Sequence, residues 1–220
     1  MKRKIVIPVL VCCGLMAVVD GIIQPDYFIK SVIKLILFLA VPLIYGAYTK
    51  DINLKSLFKI NKKGMGIAFM LCIPVFLVIL GGYFAFKNVF DFSLVTTALT
   101  GNIGVTKSNF PFVALYISFV NSLLEEFFFR GFAFLALKRI SGSVFAYVFS
   151  SLMFALYHIA MMTGWFSPIV FVITLAGLFA GGLIFNYLND KTDSLYPSWF
   201  VHMFANFAIN LIGFMLFGII

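Results

Sequence analysis

The residues that decide the fold are 66–86, GIAFMLCIPVFLVILGGYFAF, in which no side chain carries a charge. An α-helix needs about 20 consecutive apolar residues to cross the hydrocarbon core of a bilayer. The whole chain of 220 residues is 63% hydrophobic and 11% charged, whereas soluble domains are about 45–50% apolar and about 25% charged. Because a soluble fold could not bury this much apolar surface, the sequence predicts an integral membrane protein.

Six further apolar runs approach the length of a membrane span. They cover residues 5–23, 32–49, 111–137, 144–162, 167–188 and 199–219. The first two carry Asp20 and Lys34 near an end, so the pattern allows about six to eight spans. We predict an all-α, polytopic transmembrane helix bundle of about seven spans. It forms one integral domain, in which residues 1–110 supply the N-terminal helices and loops, and residues 111–220 supply the last four spans.

The formal net charge of +8 comes from Lys and Arg residues that lie mostly between the apolar runs. With the N-terminus in the cytoplasm, the cytoplasmic side holds eleven of them, namely Lys2, Arg3, Lys4, Lys50, Lys55, Lys59, Lys62, Lys63, Lys138, Arg139 and Lys191. The other side holds Lys30, Lys34, Lys87 and Lys107. This excess follows the positive-inside rule, so we predict a multi-pass cell membrane protein with a cytoplasmic N-terminus. A nucleic-acid-binding protein would gather its positive charge on one face, so no nucleic-acid partner is expected.

The two glutamates of the chain, Glu125 and Glu126, lie with Arg130 inside the run 111–137. A charge at the centre of a membrane helix costs roughly 2.5–3.5 kcal/mol on insertion scales, so each needs a partner. Residues four apart share one face of an α-helix, which predicts an ion pair between Glu126 and Arg130. This pair serves either to tie helices together or to shape a site. Glu125 lies about 140° from Arg130 around the helix, and a carboxylate without a cation is suited to act as a general base.

The two histidines of the chain, His158 and His202, also lie within predicted spans. A histidine in a span often does no more than bond to a neighbouring helix. Here Asn206 and Asn210 follow His202 at helical spacing and extend a polar stripe along one face. A carboxylate, two imidazoles and an amide on three spans can activate a water and stabilise an oxyanion. The carboxylate and the imidazoles could equally hold a metal ion.

Three short motifs give this arrangement a resemblance to a known family. The chain has Glu125-Glu126-x-x-x-Arg130, Phe154-x-x-x-His158 and His202-x-x-x-Asn206, each on its own predicted span. In this order the motifs resemble those of the CAAX protease and bacteriocin-processing (CPBP, or Abi) family of intramembrane endopeptidases. The resemblance covers residues 113–217 and places the catalytic core in the last four spans.

The resemblance implies that a water activated by Glu125, acting as general base, hydrolyses a peptide bond. It also implies that His158 helps to hold this water and that His202 and Asn206 stabilise the oxyanion. The residues expected to support the site are Glu126, Arg130 and Asn210.

The sequence leaves a metal requirement open. Members of the family are described as metalloproteases, and a metal-free glutamate mechanism is also argued for them. The candidate ligands for a divalent metal such as zinc are Glu125, His158 and His202. The chain lacks His-Glu-x-x-His, the helix motif whose spacing positions zinc ligands. The expected cofactor is therefore a divalent metal or none.

The sequence does not identify the substrate, which we expect to be a peptide or membrane-protein precursor in the lipid bilayer. Prenylated C-terminal peptides, bacteriocin leaders and precursors of signalling peptides are all compatible with the resemblance. The cationic chain with short loops is typical of bacterial proteins, which favours unprenylated substrates. Two other functions suit buried Glu and His: a proton-coupled transporter or ion carrier, and a non-catalytic immunity or scaffold protein. The lack of an internal repeat argues against a transporter, and the intact motifs argue against a loss of catalysis.

Helix geometry raises one difficulty for this site. At about 1.5 Å per residue, Glu125 and His158 lie about 20 Å and about 23 Å from the cytoplasmic ends of their spans, whereas His202 lies only about 6 Å deep. One explanation is that residues 193–198 dip into the bundle, with Pro197 in the first turn of a helix that starts deep. Tilted helices or an irregular fifth span would be another, since non-helical backbone at depth can line a polar cavity.

Overall fold

The computed structural model of the protein describes residues 2–49 and 54–220. Their helices are α1 (Arg3–Ile23), α2 (Tyr27–Thr49), α3 (Leu54–Leu57), α4 (Lys62–Phe86), α5 (Ser93–Ile103), α6 (Phe110–Ser141), α7 (Ser143–Met162), α8 (Pro168–Thr192) and α9 (Tyr196–Leu216). Within these described residues there is no β-strand, and seven helices, all except α3 and α5, are long and apolar enough to cross a membrane. The predicted all-α bundle of seven spans is therefore confirmed.

Each of the seven membrane-length helices extends beyond the apolar run that predicted it at one end or both. α2 begins at Tyr27 instead of residue 32, α6 continues to Ser141, and α8 continues to Thr192. The added turns contain charged side chains such as Lys30 and Asp190. A hydropathy pattern stops at the first charge, whereas a helix continues until a cap or a turn ends it.

The orientation of these helices in a membrane stays a prediction, and so does the division of the chain at residue 110. Lys50 and Asp51, which we predict to lie in the connection between two spans, are outside the described residues.

Local sequence signals determine where the helices begin. Asp26 caps α2, because its carboxylate accepts hydrogen bonds from the amides of Phe28 (2.9 Å) and Ile29 (3.0 Å). Gly142 joins α6 directly to α7 with φ at +87°, a conformation that glycine adopts without a Cβ clash. This tight turn makes α6 and α7 neighbours and so places the span of Glu125 beside the span of His158.

Helix α6 lies at the centre of the bundle. Residues 124–137 are all buried, and the ring of Phe128 stacks on Phe38 of α2 with 4.0 Å between the ring centroids. The other spans turn apolar side chains such as Met70 and Val78 outward, as lipid contact requires. The core of the protein is therefore built around the helix that carries both glutamates.

Two segments of α6 are π-helical, Ile117–Asn121 and Glu126–Ala136. A π-helix bonds each carbonyl to the amide five residues ahead instead of four, and short π segments are frequent at functional sites. Glu125 ends the α-helical turn between these two segments. The angular position of the side chains around the helix axis therefore changes at the glutamates. A prediction that assumes a constant angle of about 100° per residue misses this change.

The turn between α8 and α9 lies inside the bundle. Ser194 and Leu195 of this turn and Ser198 in the first turn of α9 are fully buried, whereas Asp193 is exposed. The amide of Leu195 donates to the carbonyl of Leu57 in α3 at 2.8 Å, and Pro197 lies in the first turn of α9. This burial agrees with a dip of the chain before α9, and His202 Nε2 lies 3.6 Å from Glu125 Oε2.

Candidate active site

Glu126 and Arg130 form the ion pair that their spacing predicts. Arg130 Nη1 lies 3.4 Å from Glu126 Oε1, and both side chains are fully buried. Among the described residues, no nitrogen of the Arg130 side chain has a hydrogen-bond partner of normal geometry. The π-helical geometry of this segment explains why the two groups are 3.4 Å apart, because side chains four residues apart align best in an α-helix.

Aromatic rings supply the other close contacts of Arg130. Its guanidinium carbon lies 4.2 Å from the ring centroid of Phe154 and 4.8 Å from that of Phe185. A cation over a ring face gains about 2 kcal/mol when both groups are removed from water. Phe154, the first residue of its motif, therefore holds the guanidinium group of Arg130 in place.

His202 lies between the two glutamates. Its Nδ1 is 2.9 Å from Glu126 Oε1, and its Nε2 is 3.6 Å from Glu125 Oε2. An ionised carboxylate can only accept a hydrogen bond, so Nδ1 carries the hydrogen and donates it to Glu126. The ring of Phe185 stacks on the imidazole with 5.1 Å between centroids. Glu126 and Phe185 thus orient His202 so that Nε2 faces Glu125.

The prediction that Glu125 lacks a cation is wrong. Lys34 Nζ lies 2.5 Å from Glu125 Oε1, and Asn121 Nδ2 donates to the same oxygen at 3.1 Å. The charged side chains are both buried, with exposed fractions of 6% for Lys34 and 3% for Glu125. The prediction considered cations on the helix of Glu125, whereas Lys34 comes from α2. The carboxylate is therefore charge-compensated at Oε1, while Oε2 faces His202.

His158 reaches the site from α7. Its Nδ1 lies 2.7 Å from the carbonyl oxygen of Phe154. Because a carbonyl can only accept, Nδ1 carries the hydrogen, and Nε2 is the acceptor in the neutral ring. The ring packs edge-on against Phe154 and Tyr157, and His158 interacts electrostatically with Glu125. The structure therefore brings the imidazole of α7 into the surroundings of the carboxylate.

The polar stripe of α9 binds to the first half of α6. Asn206 Nδ2 donates to the carbonyl of Ile117 at 3.2 Å. Asn210 Nδ2 donates to the carbonyl of Ala114 at 3.1 Å and to Ser118 Oγ at 2.9 Å. A side-chain amide has two N–H groups, so Asn210 uses both on α6, whereas Asn206 keeps one for another acceptor.

The proposed metal ligands do not form a metal site in this arrangement. In residues 2–49 and 54–220, no three His, Cys, Asp or Glu side chains are placed to hold a metal ion. Of the candidates Glu125, His158 and His202, the carboxylate already has the ammonium group of Lys34 on Oε1. A positive charge at that distance repels a second cation. We therefore derive no step of a reaction through a metal.

Sequence reasoning missed Lys34 and Asn121, although each carries a signal. Lys34 is a charged residue inside the apolar run 32–49, and Asn121 precedes Glu125 by four residues on the same helix. A charge that is retained in a span needs a partner. Helix geometry left Glu125 without a cation on its own helix. Lys34 could therefore have been predicted as the partner of Glu125.

The fold and the site together define a class: a polytopic membrane protein with a buried carboxylate site inside its helix bundle. Residues 107–208 match the family model described as type II CAAX prenyl endopeptidase Rce1-like. This part of the chain is similar to the CAAX protease family, as its three motifs indicate, and the match supports an intramembrane endopeptidase at the level of the family. Helices α1 to α5 precede the matched residues. No curated protein and no solved structure matches the chain.

Proposed function

We propose that this chain is an intramembrane endopeptidase that hydrolyses a peptide bond with a water activated by Glu125. One observation carries the proposal: Glu125 is buried in the bundle with Lys34 on one carboxylate oxygen and His202 facing the other. An ionised carboxylate held in a fixed position beside an imidazole is suited to general base catalysis. The family match supports the class of reaction.

In the proposed reaction, Oε2 of Glu125 accepts one proton from the water. At the same time the water oxygen forms a bond to the carbonyl carbon of the peptide. Nε2 of His158 accepts a hydrogen bond from the second O–H group of this water. The C–N bond of the tetrahedral intermediate then breaks, and the proton on Glu125 passes to the leaving nitrogen. One carboxylate thus acts first as base and then as acid.

The negative charge that develops on the carbonyl oxygen needs hydrogen-bond donors. Asn206 has one N–H group left after its bond to Ile117. His202 can donate from Nε2 in its doubly protonated form, in which Glu126 accepts from Nδ1. Loss of one such donor costs about 2.7–4 kcal/mol of transition-state stabilisation in well-studied hydrolases. Glu126 and Arg130 support the reaction by holding His202.

We propose a peptide or membrane-protein precursor as the substrate and the lipid bilayer as its environment. Three of the side chains that carry the chemistry are buried, with exposed fractions of 3% for Glu125, 6% for His202 and 7% for Asn206, and His158 is half-buried. A substrate therefore has to enter between the helices, which suits a segment that is itself in the membrane. Nucleic acid has no part in this proposal.

Glu125→Gln tests the proposal in purified protein in detergent or in liposomes. The probe is a quenched fluorescent peptide that ends in Cys-aliphatic-aliphatic-X, supplied both farnesylated and unmodified. We expect wild type to cleave it and Glu125→Gln to lower kcat about 10²–10⁴-fold, the range for loss of a general base. Asp91→Asn, which changes an exposed acid before α5, is the matched control and should cleave like wild type.

Cleavage by Glu125→Gln at the rate of wild type would contradict the proposal, provided that its abundance and heat stability are normal. A wild-type protein that cleaves no probe but carries protons across liposomes would favour the ion carrier instead.

A further inference from the structure

We propose that Lys34 is a positioning residue of the proteolytic site, which keeps Glu125 ionised and oriented with Oε2 available for the water. The inference rests on the proposed function. It extends the site to α2, which lies outside the matched residues 107–208.

The ammonium group of Lys34 is enclosed by groups of the site. Nζ lies 2.5 Å from Glu125 Oε1 and 2.5 Å from Asn121 Oδ1. It also lies 4.9 Å from the ring centroid of Tyr157 and 5.6 Å from that of Phe38. An ammonium group has three N–H donors and no acceptor, so an acid, an amide and two ring faces together replace its hydration.

The contacts at Oε1 determine which oxygen of Glu125 is available to the water. Lys34 and Asn121 both bind Oε1, while Oε2 faces Nε2 of His202 at 3.6 Å. Rotation of the carboxylate about its terminal bond would exchange the two oxygens, and it would have to break both contacts at once. Lys34 and Asn121 therefore hold Oε2 on the side of the imidazole.

Each glutamate of the cluster has a cation of its own when Lys34 is included. Glu125 and Glu126 are negative, and Lys34 and Arg130 are the cations paired with them. Without Lys34, Glu125 would be a buried carboxylate without its paired ammonium group, and this loss favours uptake of a proton by Glu125. A protonated Glu125 cannot accept a proton from water, so the base would be lost.

Lys30 offers a matched comparison on the same helix. It precedes Lys34 by one helical turn, and its Nζ lies 2.7 Å from Asp20 of α1, with 8% of the Lys30 side chain exposed. This ion pair joins α1 to α2 and contains none of the proposed catalytic groups. Loss of either lysine removes a buried ion pair, but loss of Lys34 also removes a contact to Glu125.

The test compares Lys34→Met, Lys34→Arg and Lys30→Met with wild type and Glu125→Gln, all as full-length chains and with the two fluorescent peptides. We expect Lys34→Met to lower kcat about 10²–10⁴-fold while KM changes less than about threefold. Lys34→Arg should recover part of kcat, because it keeps a positive charge. Lys30→Met should lose heat stability as Lys34→Met does but keep kcat within about threefold of wild type.

A Lys34→Met protein with the kcat of wild type would overturn the inference, and so would a Lys30→Met protein that loses kcat equally. Both results leave the proposed function standing as long as Glu125→Gln is inactive. Cleavage by Glu125→Gln would instead overturn the proposed function.

If Lys34→Met does not fold, the double variant Lys34→Met/Glu125→Gln gives the answer. We expect it to be more heat-stable than Lys34→Met, because the two charges are removed together. A double variant as unstable as Lys34→Met would overturn the pairing and with it the inference.

Discussion

Asn206 donates a hydrogen bond from Nδ2 to the main-chain carbonyl of Ile117 at 3.2 Å, and this carbonyl belongs to a π-helical segment of α6. Asn210, one turn further along α9, uses both of its N–H groups on Ala114 and Ser118. The two asparagines of one stripe therefore have different tasks. Asn210 joins α9 to α6, whereas Asn206 is oriented by α6 and keeps one donor.

We expect Asn206→Ala to lower kcat about 10²–10³-fold with little change in KM, because it removes a donor to the oxyanion. Asn210→Ala is the matched comparison. It should lower heat stability, since it leaves buried acceptors without their donor, and it should change kcat far less. Steady-state kinetics and thermal unfolding of the purified variants measure both effects. Equal values of kcat in the two variants would contradict the assignment of Asn206.

Arg130→Ala is expected to lower the free energy of unfolding by about 3–5 kcal/mol, because it leaves Glu126 buried without its cation. Glu126→Gln in the same chain should recover part of this loss, since the uncompensated charge is then absent. Thermal unfolding in detergent measures the single and double variants. An Arg130→Ala protein as heat-stable as wild type would argue against a buried ion pair.

Peptide cleavage is expected to continue in the presence of a strong zinc chelator such as 1,10-phenanthroline. The reason is that the cation beside Glu125 is the ammonium group of Lys34, at 2.5 Å from Oε1. Elemental analysis of active, purified protein provides the second measurement, and it should find no stoichiometric transition metal. Inhibition by the chelator that zinc reverses would refute this prediction.

Gly182→Ala is expected to lower the melting temperature by several degrees. A Cβ at this position would lie 2.9 Å from Cα of Ser151, so α7 and α8 would have to move apart. Gly181→Ala is the control, because a Cβ there meets nothing within 4 Å. It should be neutral or slightly stabilising, since alanine favours a helix by about 1 kcal/mol over glycine. A melting temperature unchanged by Gly182→Ala would contradict the close packing of these helices.

The number and type of helices were predictable because a bilayer leaves few alternatives. Backbone groups in the hydrocarbon core must bond within their own helix, so an uncharged run such as 66–86 already implies a span. The ends of the helices were less predictable, because caps such as Asp26 and turns such as Gly142 act independently of hydropathy. A dip before α9 was one of the ways in which His202 could reach Glu125, and the buried residues Ser194 and Leu195 agree with it.

The candidate site was predictable where its contacts are local. The pair of Glu126 and Arg130 follows from four residues of spacing. The partner of Glu125 could not be assigned in this way, because contacts between helices depend on how the whole bundle packs. The π-helical segments shift the side chains around the helix axis, and we recognise no sequence pattern that predicts where these segments lie. The catalytic roles of Glu125, His158, His202 and Asn206 stay predictions for the experiments above.

The ion pair of Lys34 and Glu125 joins positions 91 residues apart, and this distance has a consequence for biogenesis. A ribosome completes α2 long before it reaches α6, so α2 enters the membrane with an ammonium group whose partner does not yet exist. Lys30 meets Asp20 at once, because α1 and α2 are made one after the other. Final docking of α2 therefore has to wait for α6. A nascent chain that stops before residue 125 is expected to be cleared by quality-control proteases, which pulse-chase labelling of truncated chains would measure.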